Sequence, residues 1–242
     1  MIKVHTDVVG SLLRPPDLLR ARRARTDGDL SQSAFEVIED RAVARAIRIQ
    51  ETAGLEVVTD GEMRRLSFQS QLTDAVAGFS PCDIDSFLWG QWFGGEGLGS
   101  FSLERPQGLG VVGKLHRKRY LSVAEFQYLC THTNRIPKVS LPSPSLWTHF
   151  WSQDLSSAAY PTQDRFLADL VDILRDEVRA LVRCGARYLQ IDAPHYPLLL
   201  DPATRSFYEA QGWSLKDWLD RGIEMDNALM EDFPDVTFGF HL

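Results

Sequence analysis

An α/β barrel of the TIM type, (β/α)8, ending after about its sixth strand, is the architecture the sequence predicts, and three observations carry it. A unit of amphipathic helix, glycine, strand and strand-end acid occurs twice, over 34–60 and 166–192. Short apolar runs bounded by Gly or Pro alternate with helical stretches, the pattern of parallel βαβ units. The 242 residues also suit one such unit, since these barrels run to about 250 residues as a single domain. The whole of 1–242 is therefore read as one barrel domain, and the lack of a GxGxxG after the first strand favours it over a doubly wound sheet.

In chain order, Asp7–Gly10 is the first strand. Phe35, Ile38, Ala42, Ala46, Ile49 and Ala53 then recur at helical spacing, Gly54 stops that helix, and Leu55–Asp60 is the next strand. The Gly- and Trp-rich stretch Leu88–Gly99 breaks the rhythm as a long loop. Leu109–Leu115 and Ile136–Leu141 follow as strands. Leu170, Ile173, Leu174, Val178, Leu181 and Val182 line one stripe of a second long helix, Gly185 ends it, and Ala186–Asp192 is the fifth strand. Val236–His241 is the sixth, with no helix after it. A closed barrel has eight strands, so about two βα units are expected to be missing; an open sheet would leave a hydrophobic edge uncovered.

The net charge of −7 argues against a nucleic-acid partner, which wants a basic surface to displace counterions. The basic clusters Arg20–Arg25 and His116–Arg119 read as solvated faces. No apolar run reaches the length of a membrane span, and the amino terminus has no signal-peptide core, which points to the cytoplasm. Cys82, Cys130 and Cys184 are odd in number and widely spaced, as expected of reduced, mostly buried thiols, and nothing in their spacing supports a metal site.

In such a barrel the chemistry sits at the carboxyl ends of the strands. Those ends supply Ser11, Asp60, Glu62, Pro142 to Ser145, Asp192 and His241, a set rich in acids and hydroxyls with one imidazole. Two converging carboxylates suit an ammonium group or a metal. Asp60, in a Thr-Asp-Gly-Glu turn, is as readily a turn residue as a functional one, whereas Glu62 has no turn role and reads as functional. Asp192 ends the most apolar strand and reads as functional, with His195 placed on the surface or behind it. Val9, Gly10 and Ser11 form a turn whose backbone N–H groups could hold a carboxylate. Trp147, Phe150 and Trp151 either stack on a planar ligand or cover the rim.

Taken together, Asp7–Pro15, Ala53–Glu62, Gln190–Pro194 and Phe238–Leu242 resemble, in the same order, the catalytic barrel of the cobalamin-independent methionine synthase family, whose fold is shared with uroporphyrinogen decarboxylase. The resemblance implies a zinc-dependent transferase in which the metal turns the thiol of homocysteine into a thiolate that attacks the methyl group of a folate-type donor. It implies that Val9, Gly10 and Ser11 cradle the amino-acid carboxylate, that Glu62 and Asp192 pair with the ammonium as the catalytic acids, and that His241 is the first zinc ligand. The family's other zinc ligands would lie past Leu242, so this chain alone is expected to be inactive. Asp192-Ala193-Pro194 replaces the family's Asp-Glu-Pro, and the family's folate-binding glutamate falls near Leu198, which leaves the methyl donor open. Two alternatives stand beside this reading. One is a metal-free decarboxylase-like enzyme using Asp192 with Arg14, Arg64 and Arg65 on a polyanion; the other is a non-catalytic barrel that binds small molecules or assembles as a homo-oligomer.

Overall fold

A computed structural model describes residues 6–66, 70–81, 109–210 and 212–242. The predicted loop Leu88–Gly99 and Cys82 lie outside the described residues. Helices α1 (Pro16–Thr26) and α2 (Gln32–Thr52) lead into a short strand β1 (Val57–Val58). Helix α3 (Ser70–Ala75) and strands β2 (Val76–Pro81) and β3 (Leu109–Arg117) come next. They are followed by α4 (Val123–His132), β4 (Ile136–Pro137) and β5 (Val139–Pro142). A 3-10 helix (Pro144–Phe150), α5 (Gln153–Ser156) and the long α6 (Gln163–Arg183) lead to β6 (Tyr188–Asp192). The chain closes with α7 (His195–Leu198), α8 (Pro202–Ala210), α9 (Leu215–Met230) and β7 (Thr237–His241).

The two long helices form where the periodicity places them. Ser31 caps α2 by accepting the Ala34 N–H at 3.2 Å, and Thr162 caps α6 by accepting that of Arg165. Gly54 and Gly185, at φ of 81° and 100°, supply the left-handed residue that lets each chain turn into its strand. The α6 stripe of Leu170, Leu174, Val178 and Leu181 is wholly buried against the 3-10 helix, α9 and β3. At roughly 1.5–3 kcal/mol per fully buried large aliphatic side chain, that face outweighs any contribution from helix propensity.

The described strands form three sheets: parallel β1–β4, antiparallel β2–β3, and parallel β5–β6–β7. In the last, the register pairs Pro142 with Asp192 and Asp192 with His241, so three strand ends stand in one row. Three expectations need correction. Residues 7–10 make no ladder, and that segment is held instead by side chains. Leu109–Leu115 is not a parallel strand but half of a hairpin with β2, a strand the sequence reading missed. A Cβ on Gly78 would lie 2.9 Å from the carbonyl oxygens of Gly113 and Lys114, so only glycine permits that close crossing. The predicted strand 136–141 is split at Lys138, whose N–H turns to the carbonyl of Val58.

Two surface readings also change. Arg22, within the basic cluster, is buried, donating to the carbonyls of Met63 and Arg65 and pairing with Glu39, because α1 lies over the 61–65 turn. Cys130 and Cys184 are exposed rather than buried. Among the described residues, no helix is long and apolar enough to cross a membrane.

Candidate functional site

The turn after β1 is built by its own side chains. Thr59 Oγ1 accepts the Gly61 N–H at 3.0 Å and Asp60 Oδ1 accepts the Glu62 N–H at 2.8 Å. Gly61 is left-handed at φ 68°, and Glu62 follows at φ 54°, the one non-glycine residue with positive φ among the described residues. That conformation costs an L-residue roughly 1 kcal/mol or more and clusters at functional positions. It turns the Glu62 carboxylate toward Ser11, whose Oγ donates to Oε2 at 2.5 Å, and toward Ser140, whose Oγ donates to Oε1 at 3.3 Å.

Arg65 supports this acid from behind. Its guanidinium is buried, donates to Glu125 Oε2 at 2.8 Å and Ser140 Oγ at 2.8 Å, and lies 3.5 Å from Glu62 Oε1. Burial works against its charge, yet Glu125 and the other acids raise its pKa above the ordinary value. Asp60 is enclosed, and its Oδ2 has no partner. Burial first, then the charge of Glu125, pushes its carboxyl up to about 7. Asp60 thus fills the turn role and is in addition a high-pKa acid.

At the end of β6, Asp192 Oδ1 accepts from Gln190 Nε2 at 2.6 Å and lies 3.1 Å from His241 Nδ1. Burial raises its pKa, partly offset by the hydrogen bonds from Gln190 and His241, while the charge of Glu62 adds to the rise. The two acids therefore feel one another. The same Gln190 amide nitrogen donates to the carbonyl of Val9 at 2.7 Å, and Gln190 Oε1 accepts from the buried Lys138 Nζ at 2.7 Å. Lys138 also pairs with Asp7 at 2.9 Å. The N–H groups of Val9, Gly10 and Ser11 have no partner among the described residues, and Val9 and Gly10 border the small cleft that holds Glu62, Asp60 and Ser140.

The predicted residues Val9, Gly10, Ser11 and Glu62 are thus brought together, as are Asp192 and His241, with Gln190 linking the two groups. Ser140, Glu125, Lys138 and Gln190 were missed. The last two had a signal, since each is a polar residue inside an otherwise apolar strand run. His195 is not on the surface. It is fully buried, with Nε2 2.7 Å from Ser145 Oγ and Nδ1 unpartnered. Trp147 and Phe150 are core residues packed around Phe79, which favours covering over ligand stacking.

The arginines of the polyanion reading are turned inward. Arg14 donates to the carbonyls of Glu62 and Arg65, Arg64 pairs with Glu39 and Asp40, and Arg65 is committed to Glu125. For the zinc that the resemblance implies, His241 is one donor whose Nδ1 already faces Asp192. Among the described residues, no group of three or more His, Cys, Asp or Glu is arranged to hold a metal, whereas catalytic zinc takes three protein ligands. This donor set does not by itself fit zinc.

A second pocket, about 560 Å³, lies behind the 3-10 helix and is lined by His149, Tyr208, Trp213 and Trp218 among others. The His149 and Trp213 rings stack at 5.3 Å. Among the described residues, His149 Nε2, Tyr208 Oη and Trp218 Nε1 are buried without hydrogen-bond partners. Burial, and then the charge of His195, pull the His149 pKa down to about 3, so its ring is neutral at physiological pH.

Comparison with known proteins agrees with the order of these elements. The catalytic domain of cobalamin-independent synthases matches residues 4–206. The methionine synthase of Pyrococcus abyssi is 30% identical over 194 residues, 78% of this chain and 51% of that protein. The 5-methyltetrahydropteroyltriglutamate–homocysteine methyltransferase of Nitratidesulfovibrio vulgaris is 32% identical over 192 residues, 78% of this chain and 22% of the relative. The protein YxjH of Bacillus subtilis is 26% identical over 241 residues, 98% of this chain and 61% of its own length. Among solved structures, a B12-independent methionine synthase from a Shewanella species, in complex with selenomethionine, superposes with a TM-score of 0.61 at 19% identity, over 88% of this chain and 54% of that one. The chain spans less than two thirds of the length of each of these proteins. With most of its length matched by the family, the chain belongs to the cobalamin-independent synthases, within their catalytic domain.

Proposed function

We propose that this chain carries the amino-acid-binding part of a methyltransferase that transfers a methyl group to the thiol of homocysteine or a close relative, with a folate-type donor. The observation that carries the reading is the joined pair of half-sites. Val9, Gly10 and Ser11 offer unfilled N–H groups, Glu62 faces Ser11 beside them, and Gln190 ties the Val9 carbonyl to the Asp192 carboxylate. An α-amino acid presents a carboxylate and an ammonium a few bonds apart. The open amides suit the first, and the acids Glu62 and Asp192 suit the second. Holding both fixes where the side-chain thiol lies, which is positioning catalysis rather than chemistry done by the chain itself.

The selenomethionine bound by the Shewanella protein is an amino acid of this class, which supports the reading by analogy of fold. His241, at the edge of the row, is the residue through which a metal would contact this part of the protein, but no step is assigned to zinc on one imidazole. A single TIM-type barrel domain, of which these residues are part, located in the cytoplasm, completes the proposal. The polyanion alternative loses support because Arg14, Arg64 and Arg65 are spent on internal partners.

Calorimetric titration with L-homocysteine and L-methionine tests the reading. Binding is expected, and Asp192→Asn should weaken it by the worth of a charged hydrogen bond, about 1.5–3 kcal/mol or roughly 10- to 150-fold. Equal affinity in wild type and variant would remove Asp192 from the ammonium site.

A further inference from the structure

We propose that Lys138 is a positioning residue that anchors the Gln190 amide by holding its oxygen, and through it both halves of the amino-acid site. The inference rests on the reading above for its functional meaning, while its structural content stands without it. A glutamine amide can be rotated by half a turn with little change in shape, exchanging a donor for an acceptor. Here three partners decide the matter. Lys138 Nζ can only donate, so Gln190 Oε1 must face it, at 2.7 Å. The two amide protons then necessarily point the other way, to the Val9 carbonyl at 2.7 Å and the Asp192 carboxylate at 2.6 Å. A flipped amide would set an oxygen against both of those oxygens and an N–H against the ammonium.

The lysine is itself locked. Its side chain is 1% exposed, pairs with Asp7 at 2.9 Å and lies over the Tyr188 ring at 5.6 Å. Burying an ammonium is costly unless it is paired, and a strand interior would more cheaply hold an aliphatic residue. Its placement, between β4 and β5 and beside β6, makes sense as a donor-only group facing the Gln190 oxygen. The groups facing it are Asp7, Gln190 and the Tyr188 ring, so the orientation is imposed by hydrogen-bond polarity.

The test uses nitrogen-15 spectra of the Gln190 side-chain amide in the full chain. In the wild type both protons should be shifted downfield and slow to exchange, since both are donated. Lys138→Met leaves Gln190 Oε1 buried without a donor and the amide free to shift, so both protons should exchange faster and the Kd for L-methionine should rise about tenfold or more. Lys138→Arg, also donor-only, should restore both within about threefold. If Lys138→Met does not fold, Lys138→Ala, which leaves room for water beside Asp7, takes its place in both readouts. Freely exchanging Gln190 protons in the wild type, or an unchanged signature in Lys138→Met, overturns the inference. Failure of the wild type to bind any amino acid would defeat the functional reading, yet leave the amide signature to be judged alone.

Discussion

Apart from Asp60 Oδ2, the buried polar side chains at the strand ends are hydrogen-bonded, whereas those of the aromatic pocket behind the 3-10 helix are largely left unpaired among the described residues. At the strand ends, hydrogen bonds of 2.5–3.3 Å join Arg65, Glu125, Ser140, Glu62 and Ser11 in one network, and Lys138, Gln190 and Asp192 in a second that meets the segment of Ser11 at the Val9 carbonyl. In the pocket, His149, Tyr208 and Trp218 each leave a buried nitrogen or oxygen without a partner. A satisfied network fixes side chains in one arrangement, whereas an unpaired buried group only subtracts from stability. The difference teaches where this molecule has committed its polar chemistry. The same class of substitution should therefore have opposite signs in the two places.

The largest effect is expected at Arg65. Arg65→Met leaves Glu125 and Glu62 buried without their cation and should cost about 3–5 kcal/mol in urea denaturation. A loss below about 1 kcal/mol would mean that water enters the cleft and screens the acids. Next comes Asp60, whose folded pKa near 7 lies above its unfolded value of 3.8. The folded state holds the proton more tightly, so stability falls as pH rises from about 4 to about 7, by roughly 3 kcal/mol in all. Asp60→Asn, which keeps the oxygen that accepts from Glu62, should flatten that decline; an unchanged pH profile would place the titration elsewhere. The smallest effect, and the one of opposite sign, is Tyr208→Phe. Removing an unpaired hydroxyl should raise stability by about 1 kcal/mol, and a loss of that size instead would show that the hydroxyl has a partner in solution, such as an ordered water.

Much of this could be read before any coordinates. Helices α2 and α6 followed from apolar residues at helical spacing with a glycine after them, because one buried stripe and one left-handed stop are local facts. Glu62 and Asp192 stood out as acids at the ends of apolar runs, and both contact the 9–11 segment, Glu62 directly through Ser11 and Asp192 by way of Gln190. What stayed hidden was long-range. Lys138 meets Asp7 across 131 residues, and Arg65 meets Ser140 across 75, and no spacing rule reaches that far. The hairpin of β2 and β3 was misread for a related reason: an apolar run bounded by glycines is the same whether its neighbour runs parallel or antiparallel.

The hydrogen bond from Gln190 to the Val9 carbonyl spans 181 residues, and the segment it holds has no ladder of its own. Closing so long a loop is entropically slow to repay, and the segment's other anchors are also remote, Ser11 meeting Glu62 across 51 residues and Asp7 meeting Lys138 across 131. These residues are therefore placed by partners far from them along the chain, and they settle late. The Val9–Ser11 cradle is joined to Asp192 only once the strand carrying Gln190 is in place, so the two halves of the site come together through one of the longest-range contacts in the molecule.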